Sequence, residues 1–181
     1  MRRGIIIICV SIFMLAFGAT CEPTMHDVGP YTVSVDAGRN VSWSTQDPKE
    51  LELAGQKIIM YSLDGYVDAP IGENHFTVVI IDFESELSQD EINAARATEN
   101  MTASVKNSMI LIGSEPISIS PRIFDGYQGM IGVSYWGIVR ETLFEGQWLT
   151  NSSIITVTSS IRWGEGTQQI FDSIHIIEKG K

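Results

Sequence analysis

The stretch Phe76-Thr-Val-Val-Ile-Ile-Asp-Phe83 is the most apolar part of the chain outside its N-terminal segment. Five of its eight residues are β-branched, which favours an extended backbone. An apolar run of this length, without alternation of polar residues, is typical of a strand buried on both faces. The stretch therefore predicts a central strand of a β-sheet.

A helix is predicted directly after this strand. Ser88 is followed three residues later by Glu91, the spacing of a capping box at a helix N-terminus. Small and apolar side chains then recur at helical spacing. The pattern predicts one amphipathic helix from Ser88 to about Asn107, packed on the sheet.

Further strands are indicated on both sides of this unit. Tyr31 to Val35 alternates apolar and polar residues, as a half-buried strand does. The pair Asp64-Gly65 is interpreted as a turn that ends a strand, and Asp125-Gly126 as the turn of a hairpin. Other extended stretches are predicted at 50–54, 57–62, 117–123, 127–135, 139–149, 154–161 and 175–178, with a short helix at 167–174.

These elements predict an α+β fold for residues 31–181, taken as a single domain. We expect an antiparallel sheet of about six to seven strands, covered by one long and one short helix. A Rossmann-type fold would need regular strand-helix alternation and a glycine-rich turn, and the sequence has neither.

The order of elements resembles the family of the photosystem protein PsbP and its Ran-binding relatives. The resemblance depends on the strand 31–35, the strand 76–83 with its following helix, the hairpin 124–129 (Phe-Asp-Gly-Tyr-Gln-Gly) and the closing helix with Phe-Asp-Ser-Ile at 171–174. It implies an α-β-α sandwich and an accessory or binding role without catalysis. No functional residue is carried over, because no metal or partner motif of the family matches this chain.

The N-terminal residues 1–21 are interpreted as an export signal or lipoprotein signal. Arg2 and Arg3 precede a short apolar run, and small residues then lead to Cys21. Cys21 is a candidate for lipidation; the alternatives are cleavage after Gly18 and an uncleaved anchor. Residues 22–30 are predicted to be a linker. We therefore expect an extracytoplasmic protein, either secreted or anchored at the outer face of a membrane.

The net charge limits the classes of binding partner, and the cysteine content limits the disulfides that can be expected. The net charge of −10 would repel nucleic acid and anionic lipid. A nucleic-acid partner is therefore not expected, and contact with a membrane is expected only through the N-terminal segment. The two cysteines, Cys9 and Cys21, both lie in that segment, so no disulfide framework is predicted.

Three Asn-X-Ser/Thr sequences are candidates for N-glycosylation if the protein is exported. They begin at Asn40, Asn100 and Asn151. Asparagines that carry glycans must be exposed, and the predicted positions in turns and on a helix surface agree with that requirement.

The sequence predicts no catalytic residues, no metal site and no cofactor. The histidines His26, His75 and His175 are scattered, and no G-x-S-x-G sequence occurs. The leading hypothesis is therefore a non-catalytic binding domain or cell-envelope accessory domain with a protein partner. A secreted hydrolase with a spatially assembled site is the alternative from another class.

The carboxylates of Asp82, Glu84 and Glu86 form a weak acidic cluster. They would share one face if the strand continued past Phe83, and carboxylate oxygens are ligands that calcium prefers. A calcium-stabilised surface domain is therefore a third hypothesis, although a solvated strand end explains the same pattern.

Overall fold

A computed structural model describes residues 23–53, 56–67, 74–83, 85, 87–138 and 140–179. The predicted export segment, and with it Cys21, lies outside the described residues, as do Glu84 and Glu86. The described strands are β1 (Thr24–Val28), β2 (Tyr31–Val35), β3 (Ser42–Thr45), β4 (Lys49–Leu53), β5 (Gln56–Val67), β6 (Asn74–Phe83), β7 (Glu115–Phe124), β8 (Tyr127–Trp136), β9 (Glu141–Leu149), β10 (Ser153–Ser159) and β11 (His175–Glu178). The α-helices are α1 (Gln89–Arg96), α2 (Thr98–Leu111) and α3 (Thr167–Ser173).

Most of the strands form one large antiparallel sheet. Its order is β3-β5-β6-β10-β9-β8-β7, and β4 pairs with β5 beside β3. Strands β3 to β6 form one half of this sheet. Helices α1 and α2 then connect β6 to β7, and strands β7 to β10 form the other half as an antiparallel meander. This arrangement confirms the predicted α+β class with an antiparallel sheet. The described residues contain eleven strands and three α-helices, more than the six to seven strands and two helices predicted.

The stretch 76–83 is a central strand, as predicted. Strand β6 pairs with β5 on one side and β10 on the other. Phe76, Val78 and Ile80 are completely buried on one face of the sheet. Val79 and Ile81 on the opposite face are only partly buried, so the prediction of burial on both faces was wrong. The helices account for this difference, because α2 packs over β7, β8 and β9 and leaves this part of the face uncovered.

A second, three-stranded sheet covers the fully buried face. Its order is β1-β2-β11, and its residues belong to the same apolar core as β5, β6 and β10. The hydroxyl groups of Tyr31 in β2 and Ser153 in β10 are 2.6 Å apart and connect the two sheets.

The predicted linker 22–30 is wrong for the described part of that range. Strand β1 pairs with all of β2, and the hairpin between them turns at Gly29 and Pro30. Gly29 has φ +60, a left-handed conformation that glycine adopts without strain. The glycine and proline that suggested a linker instead form this turn.

The predicted capping box is present, but the helix is divided. Ser88 accepts a hydrogen bond from the Glu91 backbone, and the Glu91 carboxylate accepts one from the Ser88 backbone. Ala97 has ψ 131, which ends α1 after Arg96 and starts α2 at a new angle. The prediction of one continuous helix was therefore wrong, and α1 and α2 together span the segment.

The pair Asp64-Gly65 does not form the predicted turn, because β5 continues to Val67. The Asp64 carboxylate accepts hydrogen bonds from Gln46 and Thr77 on the neighbouring segments. At Gly65, a Cβ atom would lie 2.5 Å from the Phe76 ring. Close ring packing, and not a turn, explains this glycine.

The other predicted turn and the closing helix are confirmed. Asp125 and Gly126 both have positive φ, 50 and 81, and join β7 to β8 in a two-residue hairpin loop. Helix α3 follows a short 3-10 turn at Trp163–Glu165 and buries Ile170 and Phe171 in the main core. No helix among the described residues is long and apolar enough to cross a membrane.

Candidate ligand-binding cleft

A cleft of about 420 Å³ lies between the α1–α2 junction and the β7–β8 hairpin. Its volume falls in the range of small-molecule sites. Its lining combines two arginines with apolar side chains and contains no carboxylate. The lining residues are Arg96, Thr98, Met101, Pro121, Arg122, Ile123, Gln128, Gly129 and Met130.

Arg96 is placed by the break between the two helices. Its Nε and Nη2 atoms donate to the Leu149 carbonyl oxygen at 3.3 and 3.0 Å, and Nη2 also donates to Oδ1 of Asn151 at 3.4 Å. The guanidinium lies 5.6 Å from the centre of the Tyr127 ring. Within the described part of the chain, Nη1 has no hydrogen-bond partner, which leaves its two donors for a ligand.

Arg122 borders the cleft from β7, but its side chain lies on the other face of the sheet, which it shares with Phe124. Its Nη2 atom forms an ion pair with Asp172. The guanidinium is 5.3 Å from the Trp163 ring centre and 5.6 Å from that of Phe124. These contacts fix the orientation of a planar fork that binds carboxylates well. Arg122 also lines a groove of about 340 Å³ beside the partly buried Trp163.

The apolar wall comes from a small core cluster beneath α2. Met101, Val105 and Met109 pack against Met130 of β8. Methionine side chains adapt to irregular ligand shapes. The exposed side chain of Ile123 extends this wall at the edge of the sheet. The cleft can therefore bind a negatively charged group that is attached to an apolar body.

The three glycosylation candidates are all exposed, although their contacts differ. Asn40 lies between β2 and β3. Asn100 lies in the first turn of α2, and its Nδ2 atom, to which a glycan would be attached, donates to the Ala94 carbonyl at 2.7 Å. Asn151 lies in the turn before β10. Asn40 makes no side-chain hydrogen bond within the described residues, whereas a glycan on Asn100 would leave its Nδ2 atom one hydrogen for the bond to Ala94.

The acidic cluster is represented in the structure by Asp82 alone. Asp82 lies opposite Ser153, whose Oγ is 3.5 Å from its carboxylate and 2.6 Å from the Tyr31 hydroxyl. Burial is the main cause of the raised pKa of Tyr31, and Asp82 adds to it. Among the described residues, no group of three or more His, Cys, Asp or Glu could hold a metal ion. The calcium hypothesis stays a prediction, because Glu84 and Glu86 lie outside this part of the chain.

The three histidines are far apart in sequence, and each contacts a different set of residues. His175 Nδ1 is 2.6 Å from Asp125 Oδ1 at the surface. The His26 ring packs at a tilt against Trp43, and His75 stacks on Tyr66. No serine hydroxyl is bonded to these rings within the described residues. His175 and Asp125 form an imidazole–carboxylate pair without a serine hydroxyl beside it in the described residues, so the hydrolase alternative stays a prediction.

Sequence reasoning missed the two arginines of the cleft. Arg96 and Arg122 belong to different elements and have no motif spacing, so only the fold brings them to one cavity. The sequence contains a weak signal for Arg96. This residue lies less than two helical turns after Glu91 of the predicted capping box, and basic residues are few in the chain. No family model matches the chain, and no curated protein matches it.

Proposed function

We propose that the chain is a non-catalytic extracytoplasmic binding domain, held at the outer face of a membrane by its N-terminal segment. The observation that carries the binding role is the cleft in which the Arg96 guanidinium lies beside an apolar wall. The Arg96 guanidinium has no carboxylate partner among the described residues, so it can attract an anion even in a chain of net charge −10. Met101, Ile123 and Met130 give the ligand an apolar contact surface.

The proposed ligand chemistry is a carboxylate on a small apolar body. Such a group occurs in free aliphatic acids and at the C-terminus of a partner protein that ends in an apolar residue. Capture of a C-terminal carboxylate is a known mode of peptide recognition, and arginines are known to bind acidic groups of peptides. A carboxylate at the C-terminus of a partner protein agrees with the hypothesis of a protein partner.

Calorimetric titration separates these sources. The full chain is titrated with octanoate, with an acetylated tripeptide that ends in leucine, and with the same peptide amidated at its C-terminus. Binding of octanoate alone indicates a small-molecule site, and stronger binding of the free-acid peptide indicates a partner C-terminus. Equal binding of the amidated peptide, or no binding of any probe, would contradict the proposal.

Matched variants test the role of the arginines. Arg96→Gln should weaken binding at least about tenfold, because it removes a charged hydrogen bond, whereas Arg122→Gln should weaken it less because the Arg122 guanidinium already pairs with Asp172. Arg162→Gln is the control, since Arg162 is exposed and pairs only with Glu165 in the described residues. Circular dichroism confirms that each variant is folded before its affinity is compared.

We also propose a distant relation to PsbP-like proteins. It is supported by the passage from β6 into the α1–α2 pair, by the Asp125-Gly126 hairpin and by the closing helix α3. A different strand order in the sheet of an experimentally determined PsbP-like structure would contradict it.

A further inference from the structure

Exposed apolar side chains concentrate at one end of the large sheet. Helix α2 ends there, β7 begins there and β8 ends there, with Glu115 of β7 opposite Tyr135 of β8. Leu111 and Ile138 are 86% and 84% exposed. We call this set of residues the apolar end: Ile110, Leu111, Ile112, Ile117, Tyr135 and Ile138.

The described chain begins at the same end of the sheet. Thr24, at the start of β1, lines a cavity together with Trp43. Successive strand pairs connect Trp43 of β3, through β5, β6, β10 and β9, to Val133 of β8. Val133 precedes Tyr135 by two positions in the sequence. The neighbouring Met25 is also exposed. The polypeptide that precedes Thr24 therefore enters at the same end of the strands as the apolar end, although β3 and β8 are five strands apart, about 24 Å across the sheet.

Acidic side chains outnumber basic ones at the opposite end, where Lys49 and Lys57 lie beside the glutamates of β4 and Lys179 pairs with Asp27. Strand β4 carries its two glutamates beside the C-terminal part of β6, and α1 begins there with two acids in its first turn. The β1–β2 and β2–β11 pairs add further acids on the same side, near Tyr31. The acidic residues of this end are Asp27, Glu50, Glu52, Asp90, Glu91 and Glu178.

We propose that the apolar end rests on the lipid bilayer that holds the N-terminal segment, a proposal that depends on the anchored location proposed above. From Cys21 to Thr24 the chain can span at most about 11 Å, so an anchored segment or a lipid on Cys21 keeps this end at the membrane surface. Burial of aliphatic side chains stabilises the contact. A tyrosine such as Tyr135 is typical of the membrane–water interface. The end with the excess of acids then faces away from anionic headgroups, while Glu115 and Glu141 are acids that lie beside the apolar end.

Quenching by brominated phosphatidylcholine tests the proposal on the full chain in vesicles. Leu111→Trp places a fluorophore at the apolar end, and Leu51→Trp places one at the opposite end, where Leu51 is also exposed. The four native tryptophans give the same background in both variants. We expect the brominated lipid to quench the added tryptophan of Leu111→Trp and not that of Leu51→Trp.

Vesicle flotation of both variants tests the membrane anchor separately from the orientation of the domain on the bilayer. Flotation together with selective quenching at position 111 supports the proposal. Flotation with equal quenching, or with none at either position, overturns the orientation and leaves the anchored location intact. Chains that do not float overturn both. If position 111 is unquenched and sedimentation shows a concentration-dependent dimer, the apolar end is a contact between copies, which also overturns the proposal.

Discussion

Ser108 on α2 donates a hydrogen bond from its Oγ atom to Oε2 of Glu145 on β9, across 3.1 Å. The Glu145 side chain is 2% exposed, and its other oxygen, Oε1, has no hydrogen-bond partner in the described part of the chain. Burial raises the pKa of this carboxyl from 4.5 to about 7, and the Ser108 hydroxyl opposes that shift. Helix α2 therefore packs on a carboxyl that the fold keeps protonated in mildly acidic solution.

The free energy of unfolding should decrease between about pH 4.5 and pH 7 through Glu145. The folded-state pKa is the higher one, so the folded chain binds more protons in this range and loses stability as the pH rises. The contribution is complete below pH 4.5 and is lost above pH 7, a total of roughly 3 kcal/mol. Urea unfolding followed by tryptophan fluorescence across this range measures the change.

Substitution Glu145→Gln should remove that pH dependence. Glutamine has the shape of the protonated acid and cannot ionise, so the variant should match the natural chain near pH 5 and exceed its stability near pH 8 by up to roughly 3 kcal/mol. Glu99→Gln on the exposed side of α2 is the control and should keep the original slope. Parallel stability profiles for Glu145→Gln and the natural chain would show that Glu145 is not the titrating group.

Gly65→Ala should destabilise the fold by about 1–3 kcal/mol, as overpacking of a core does. The added Cβ would lie 2.5 Å from Cε1 of Phe76, a ring that is completely buried and cannot move aside. Gly164→Ala is the matched control, because no atom lies within 4 Å of its added Cβ. Equal unfolding midpoints in urea for the two variants would contradict this explanation of Gly65.

Local sequence signals predicted the elements whose stabilising contacts lie within a few residues along the chain. The β-branched run of β6, the capping box of Ser88 and the hairpin turn at Asp125 each depend on neighbouring residues. The errors arose where distant contacts decide the conformation. Gly65 is explained by a ring on the next strand, and the break at Ala97 accompanies the long-range hydrogen bonds of Arg96 to Leu149.

Ser88→Ala should destabilise the chain by about 1 kcal/mol through loss of the cap on α1. The Ser88 hydroxyl accepts from the Glu91 backbone at 3.3 Å, and no alanine side chain can replace it. Ser104→Ala, on an exposed position within α2, should be neutral or slightly stabilising because alanine favours helix interiors. Thermal unfolding at neutral pH compares the two, and a larger loss in Ser104→Ala would contradict the assignment of the cap.

The cleft could not be predicted in the same way. Arg96 lies beside the β7–β8 hairpin because α1 ends above that hairpin, and this crossing depends on the order of the sheet. The sequence did place Asn40, Asn100 and Asn151 on the surface, since turns and helix exteriors are local features. It could not show that Asn100 already donates its amide hydrogen to Ala94.

Asp125→Ala should loosen β11 and destabilise the fold by about 1–3 kcal/mol. The Asp125 carboxylate accepts from the Ile176 backbone at 2.9 Å and contacts Nδ1 of His175 at 2.6 Å, so it ties the β7–β8 turn to the last strand. Alanine also tolerates φ 50 poorly, whereas asparagine adopts it readily, so Asp125→Asn should lose less.

Hydrogen exchange of the Ile176 amide distinguishes this tie from a general loss of stability. We expect faster exchange at that amide in Asp125→Ala than in Asp125→Asn. His175→Gln is the control, because it removes the imidazole and leaves the bond from Ile176 to Asp125 in place. If the Ile176 amide stays equally protected in Asp125→Ala, the carboxylate does not hold the strand, and its short contact with His175 has no structural consequence for β11.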